Sequence, residues 1–316
     1  MEIRQACESD ISEIVEVLKA SLGEDQLELS DTVWRYKHID NPFGESIVLV
    51  AIENSKIIGV RAFMCWKWRM NDTIFNAYRA VDTATHPEHQ GKGIFKKLTM
   101  AAIEIAAKRG DHFIFNTPNE KSRPGYLKMG WEIVDKVVIA IKPAFNSFLK
   151  IKSKKIKYSI DHQVSDEIIN NVCNDWNERQ LHKGKLFTPK SRYYLSWRYE
   201  KNPLQKYQVI TTGNIYLAAY VKKRGRIKEL RVAECLHNDN KEDKRQISRI
   251  LLLLSSKFGV QVITYAPDLL DLWSIKLIGS FGPILTLKEL NLSTKDKQDL
   301  LEINNWDNSI GDLELF

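Results

Sequence analysis

Apolar and polar positions along the chain switch repeatedly between two periods. After a short strand pattern in EIRQA, Ile11, Ile14, Val15 and Leu18 fall at helical spacing behind Ser9 or Asp10. This predicts a capped amphipathic helix running to about Leu22. SIVLVAIEN and KIIGVRAFMCWKWRM read as two strands joined by a tight turn at Asn54 and Ser55, and NAYRAVDTAT as a further strand. The period lengthens again from Ile94 to Arg109, with Gly110 placed to stop the helix. HFIFNT then reads as a strand, NEKSRPGYLKMG as a short helix and turn, and WEIVDKVVIAIK as the closing strand of this half.

The second half repeats the plan. WRYKHIDNPFG, from Trp34 to Gly44, leads into one extended run, and WRYEKNPLQKY, from Trp197 to Tyr207, leads into another. NIYLAAYVKK and IKELRVAECL read as paired strands, DKRQISRILLLLSSKFG as a long helix, VQVITYAP as the next strand, and WSIKLIGSF as an ending much like GYLKMGW. Two diverged copies of one α/β unit account for the pattern most simply. The expected division is residues 1–142 for the first unit, a basic linker over 143–158, and 159–316 for the second. The linker region KPAFNSFLKIKSKKIK carries six lysines and no acidic residue. It reads either as a solvated connection or as a contact surface for an anionic ligand or a membrane.

Composition narrows the class. A chain of 316 residues with 43% hydrophobic residues and eight Trp can bury a real core in each half. No apolar run approaches the ~18 residues of a membrane span, and MEIRQACESD lacks the apolar centre of a secretion signal. The four cysteines (Cys7, Cys65, Cys173 and Cys235) are scattered without metal-ligand spacing, which points to reduced thiols in a cytoplasmic protein and to no metal. The net charge of +7 favours anionic partners such as nucleotides, coenzymes or nucleic acid; of these, the partner expected from the motifs below is a small molecule, and no nucleic acid is expected.

The chemistry concentrates at THPEHQGKGIF. Gly91 and Gly93 permit backbone conformations that a side chain would block. The turn follows a strand and opens a helix, whose unpaired N–H groups and positive dipole end suit a pyrophosphate, and Lys92, Lys96 and Lys97 add charge. Neither the Walker nor the dinucleotide glycine spacing is present.

These residues resemble the GNAT superfamily of acetyl-coenzyme A dependent acyltransferases. Its signature places Arg or Gln, then Gly, then a small residue between the fourth strand and a long helix; here Gln90, Gly93 and Phe95 stand at those positions, Phe95 departing from the small one. Downstream, NEKSRPGYLKMGW places Asn119, Ser122, Tyr126, Gly130 and Trp131 in the family's second pattern. The resemblance implies two tandem GNAT-like units of α/β (α+β) class, each a mixed, mostly antiparallel sheet flanked by helices. It implies acetyl-coenzyme A as co-substrate, held by Val81, Asp82, Thr83, Gln90, Gly91, Lys92, Gly93, Ile94, Phe95, Asn119, Ser122 and Tyr126. Asn119 would touch the coenzyme arm, Tyr126 would protonate the departing thiolate, and backbone N–H groups around Val81 to Thr83 would face the oxyanion.

For the base that accepts the ammonium proton, Asp82 is the first candidate and Glu120 the second. Each is equally a solvated or paired carboxylate, and His86 and His112 read as turn and surface residues. In the second copy, LHNDNKEDKRQ has no glycine and sets Asp239, Glu242 and Asp243 where a pyrophosphate would bind, so that copy is expected to have lost the site. Trp197, Tyr199, Tyr207 and Trp306 are core residues or part of an acceptor cleft. The leading expectation is an N-acetyltransferase for a small-molecule amine. The second half is faintly similar to bacterial proteins associated with surface polysaccharides, which would make a nucleotide-linked amino sugar a natural acceptor. A Fem-like aminoacyl transferase and a non-catalytic coenzyme-binding module remain the alternatives.

Overall fold

The computed structural model describes residues 1–23, 30–144, 164–272 and 275–313. The first half runs β1 (Glu2–Gln5), α1 (Ile11–Leu22), α2 (Asp31–His38), β2 (Ile47–Glu53), β3 (Lys56–Met70), β4 (Thr73–Thr85), α3 (Ile94–Lys108), β5 (Phe113–Asn116), α4 (Arg123–Lys128), β6 (Glu132–Lys136) and β7 (Ile139–Pro143). The second runs α5 (Asp166–Lys183), α6 (Arg192–Leu195), β8 (Gln208–Thr211), β9 (Tyr216–Arg224), β10 (Ile227–Leu236), α7 (Lys241–Phe258), β11 (Val262–Tyr265), β12 (Leu277–Gly279), β13 (Ile284–Glu289), α8 (Thr294–Leu300) and α9 (Ile310–Leu313). Asn54 and Ser55 both take positive φ, as the tight β2–β3 hairpin requires. The helix α2 lies in a stretch whose pattern predicts no helix. Ser30 caps it by accepting from the Val33 N–H.

Two mixed, mostly antiparallel sheets result. The seven-stranded sheet has the order β1-β2-β3-β4-β5-β13-β6, and the six-stranded sheet β12-β7-β11-β10-β9-β8. Each holds one parallel pair, β4 with β5 and β10 with β11. WEIVDKVVIAIK therefore is not one closing strand. Its first part, β6, stays in the first sheet, while β7 crosses into the second and pairs with β11. In return β13 crosses into the first sheet and lies between β5 and β6. The crossing connections bond each other, Val137 N–H to the Pro283 carbonyl at 3.0 Å and Gly282 N–H to the Val137 carbonyl at 2.9 Å. A cut after residue 142 passes through β7. The lysine-rich stretch beyond it, from residue 145, and Trp273 of WSIKLIGSF lie outside the described residues.

The repeated Trp-Arg-Tyr segments meet face to face. The Tyr36 hydroxyl donates to the Trp197 carbonyl and the Trp197 indole N–H to the Tyr36 carbonyl, both at 2.8 Å, with the rings stacked 5.2 Å apart. The following Asn-Pro steps fold alike: Asn41 accepts from the Phe43 N–H and Asn202 from the Leu204 N–H, each at 2.9 Å. The reciprocal exchange of β7 and β13 between the sheets fits an internal duplication closed around a pseudo-twofold axis. Trp197, Tyr199, Tyr207 and Trp306 are buried in the aromatic core between the halves. The four cysteines are free thiols. No helix among the described residues is long and apolar enough to cross a membrane.

Candidate active site

The site begins where two parallel strands part. β4 and β5 pair from Ala77 and Phe113 to Arg79 and Phe115 and then stop, although β4 continues to Thr85. On the other side of β4 the register with β3 slips, Arg61 facing Thr83 and Ala62 facing Val81. Asp82 is the extra residue of this bulge and takes φ +35, a conformation L side chains seldom adopt. The bulge falls beyond the last β4–β5 pair, so Val81, Asp82 and Thr83 lie on the part of β4 that has left β5. A cleft of about 490 Å³ continues from there, lined by Thr83, Gln90, Gly91, Gly93, Ile94 and Phe95.

The glycine turn forms its far wall. Gly91 and Gly93 have φ +77 and +72, so both stand in the left-handed region that glycine enters without a Cβ penalty. Gly93 begins α3 with no side-chain cap, and the first turn of this 15-residue helix carries no acidic residue. Its N–H groups are thus left for a ligand in the cleft. Gln90 points back, its amide donating to the Thr85 carbonyl at 3.3 Å, while Lys96 lines the cleft and Lys92 stands 3.3 Å from the His89 ring. His86 and His89 flank the short turn before Gln90, and the Asn76 N–H donates to His112 at the far end of the sheet.

Tyr126 on α4 is 3% exposed, and its hydroxyl accepts from Arg61 Nη1 at 2.8 Å. Phe95 does not crowd the glycine turn. Its ring turns edge-on to Tyr126 at 5.6 Å and rests on Gly125. Trp131 closes the other flank of Tyr126 at 5.1 Å. Asn119 and Ser122 stand together, the Asn119 side chain accepting from the Ser122 N–H at 2.9 Å and so shaping the turn that presents Tyr126. Glu120 is exposed beside them.

The Asp82 carboxylate points to α2. It forms an ion pair with Lys37 and accepts a hydrogen bond from His38 Nε2 at 2.8 Å, while the other ring nitrogen meets the Ser46 hydroxyl at 2.8 Å. Burial works against its charge, but Lys37 and His38 outweigh that and hold it well below the usual carboxylate range. Burial pushes the His38 pKa down despite Asp82, which leaves the ring neutral. A carboxylate so committed to Lys37 and His38 is a poor acceptor for an ammonium proton. Arg61 carried no sequence signal, since only the fold sets it against Tyr126.

Residues 2–134 match the family model of the acetyltransferase (GNAT) domain. Over these residues the chain is similar to a GNAT acetyltransferase domain. Solved structures extend the likeness across both lobes: a GCN5-related N-acetyltransferase from Anabaena variabilis (TM-score 0.64, 12% identity, covering 92% of this chain and 73% of that one), and a probable N-acyltransferase from Enterococcus faecalis (0.63, 11%, 92% and 73%). Eis1 from Mycobacterium abscessus is similar at a TM-score of 0.60 with 14% identity, covering 96% of this chain and 76% of that one. At such identities the likeness is one of fold. No curated protein matches the chain.

The helix that follows β10 in the second sheet begins differently. Asn240 caps α7 by accepting from the Asp243 N–H, and the buried Asp243 carboxylate accepts from the Asn238 N–H, both at 2.8 Å. The helix start is thereby satisfied from within the chain and carries negative charge. β10 also has a bulge, between Val232 and Glu234, but here the buried Glu234 pairs with Lys190 at 2.7 Å, and Lys190 with Asp312 at 2.8 Å. Burial opposes the Lys190 charge, yet the two carboxylates hold its pKa above the ordinary value.

Proposed function

We propose that the protein is an N-acetyltransferase that carries acetyl from acetyl-coenzyme A to the amine of a small molecule in one ternary complex, with a single site in the first lobe. The observation that carries this reading is the continuity of the parted β4–β5 strands with the uncapped, glycine-opened start of α3. The residues present fit the coenzyme. The N–H groups of the α3 first turn, with Gly91, Lys92 and Lys96, suit its pyrophosphate. The gap beyond Arg79 and Phe115 suits the pantetheine arm, and Asn119 and Ser122 lie on the segment that leaves β5 for α4. Bound there, the coenzyme would supply an activated carbonyl, and the Val81–Thr83 backbone would face it.

From that placement, this chain's residues have few tasks. The bulge presents backbone N–H groups to the charge that develops on oxygen. Tyr126 gives its proton to the leaving sulfur. An amine that arrives neutral needs no carboxylate beside it, and Glu120 at the open rim is the remaining acceptor for its proton. The net charge of +7 suits a phosphorylated acceptor, and a nucleotide-linked amino sugar is the class to test first. The second lobe, with its site closed, covers the acceptor side.

Calorimetric titration with acetyl-coenzyme A, followed by radiolabelled transfer to an amine panel that includes nucleotide amino sugars, tests this reading. Saturable coenzyme binding and labelled product are expected. Uptake of an aminoacyl group from aminoacyl-tRNA instead would move the assignment to the Fem-like transferases. Tyr126→Phe is expected to lower kcat about a hundredfold while the acetyl-coenzyme A KM stays close to the parent value.

A further inference from the structure

Arg61 is fully buried on β3, opposite Thr83 of the cleft, and among the described residues it has no anionic partner. Among the described residues its Nε and Nη2 make no hydrogen bond and no carboxylate pairs with it. A buried cation costs several kcal/mol unless something offsets it. Here the offset is aromatic. The guanidinium carbon lies 4.7 Å from the Phe63 ring centre, 5.3 Å from Tyr126 and 5.7 Å from Phe95. Only Nη1 is used in a hydrogen bond, and it donates to the Tyr126 hydroxyl at 2.8 Å.

That bond has a direction. A guanidinium has donors and no acceptor, so the phenol oxygen must accept, and its own proton must point away from Arg61. Among the described residues nothing takes that proton. The orphan nitrogens are sealed from water, so there is no room beside them for an acyl carboxylate or an acceptor group.

We propose that Arg61 is a positioning residue for the general acid: it holds the Tyr126 oxygen by a lone pair, aims the hydroxyl proton at the thioester sulfur, and leaves a fixed positive charge beside the phenolate. This rests on the acetyl transfer proposed above. When the C–S bond of the tetrahedral intermediate breaks, its electron pair goes to sulfur and the Tyr126 proton follows, giving the thiol. The phenolate then faces a guanidinium instead of a ring of apolar side chains, and it regains a proton from solvent once the product has left. Phe63 and Phe95 keep that charge close and dry. On this account Phe95 is aromatic at a position the family fills with a small residue because it is one wall of the arginine's box.

The test uses Arg61→Met, which keeps volume and removes charge, Arg61→Lys, which keeps charge, and each combined with Tyr126→Phe. Release of coenzyme A from acetyl-coenzyme A with water as the acceptor needs no knowledge of the amine. Arg61→Met is expected to lower kcat roughly tenfold to a hundredfold with a KM change within about twofold, and Arg61→Lys to recover part of the loss. On the Tyr126→Phe background, Arg61→Met is expected to add almost nothing, because both changes remove one step. Calorimetry gives a readout without turnover: the parent is expected to bind coenzyme A more tightly than desulfo-coenzyme A, and Arg61→Met to erase that difference. Additive losses, a rise in KM alone, or an unchanged preference for the sulfur would overturn the role of Arg61 while leaving the acetyltransferase reading intact. Should Arg61→Met not fold, Arg61→Lys decides: a kcat equal to that of Tyr126→Phe, at a parental melting temperature, would overturn it as well. A parent that binds neither coenzyme A nor acetyl-coenzyme A would overturn both.

Discussion

Asp82 shows how much one residue's meaning depends on its neighbours. Read along the strand AYRAVDTAT, it is a carboxylate beside the reacting carbonyl. Folded, it is the bulged residue at φ +35 whose side chain ties β4 to α2 through Lys37 and His38. Removing one member of such a buried pair leaves the other charge stranded, so Asp82→Asn is expected to cost about 3–5 kcal/mol of stability at pH 7. The native carboxyl is more acidic than the unfolded one, so its contribution is complete above the unfolded pKa and falls away as pH drops toward the folded value. Urea unfolding of the parent and of Asp82→Asn at a series of pH values checks this. The two are expected to converge below about pH 4 and to stay apart above it.

At the scale of the element, α3 and α7 are the same helix put to different uses. α7 begins with Asn240 and carries Glu242 and Asp243 in its first turn, the usual way to satisfy a helix start. α3 begins with a glycine and leaves its first N–H groups facing a cleft. A Cβ at Gly93 would meet no neighbouring atom, but a valine there would be strained at φ +72 and would stand in the path of the proposed pyrophosphate. Gly93→Val is therefore expected to weaken coenzyme A binding at least about tenfold in calorimetry, with a melting temperature lowered by only a few degrees. This contrast was legible in the sequence, because capping and glycine conformations depend on a few consecutive residues. The helix α2 was not. Its polar-rich DTVWRYKH has a buried face only because the second lobe and Asp82 lie against it.

The whole molecule is one exchanged pair of lobes. Because β13 lies between β5 and β6, and β7 is carried into the other sheet, the first lobe has no complete sheet of its own. A fragment of residues 1–142 would expose the edges of β5 and β6 and an unmatched β7. It is expected to aggregate or to lack a cooperative unfolding transition by circular dichroism and size-exclusion chromatography. Co-expression with residues 143–316 is expected to restore a soluble complex. A fragment of 1–142 that folds alone and unfolds cooperatively would show that β13 is dispensable to the first sheet.

What the sequence determined by itself were the features built from neighbours along the chain: the periods of β1 to β5 and of α1, α3 and α7, the hairpin at Asn54 and Ser55, the two glycines ahead of α3, the acidic start of α7, and the duplication marked by Trp-Arg-Tyr. Each rests on backbone preference, capping or alternation, which act over a few residues. Tertiary structure alone decided which sheet each strand joins, since β6 and β7 have the same alternation whichever edge they meet. It decided the partners of buried charges, giving Asp82 to Lys37 and His38, and Lys190 to Glu234 and Asp312. It also brought Arg61 within 2.8 Å of Tyr126 from far along the chain. Those choices turn on burial and on charges meeting in a dry interior, and both are set only when distant segments pack together.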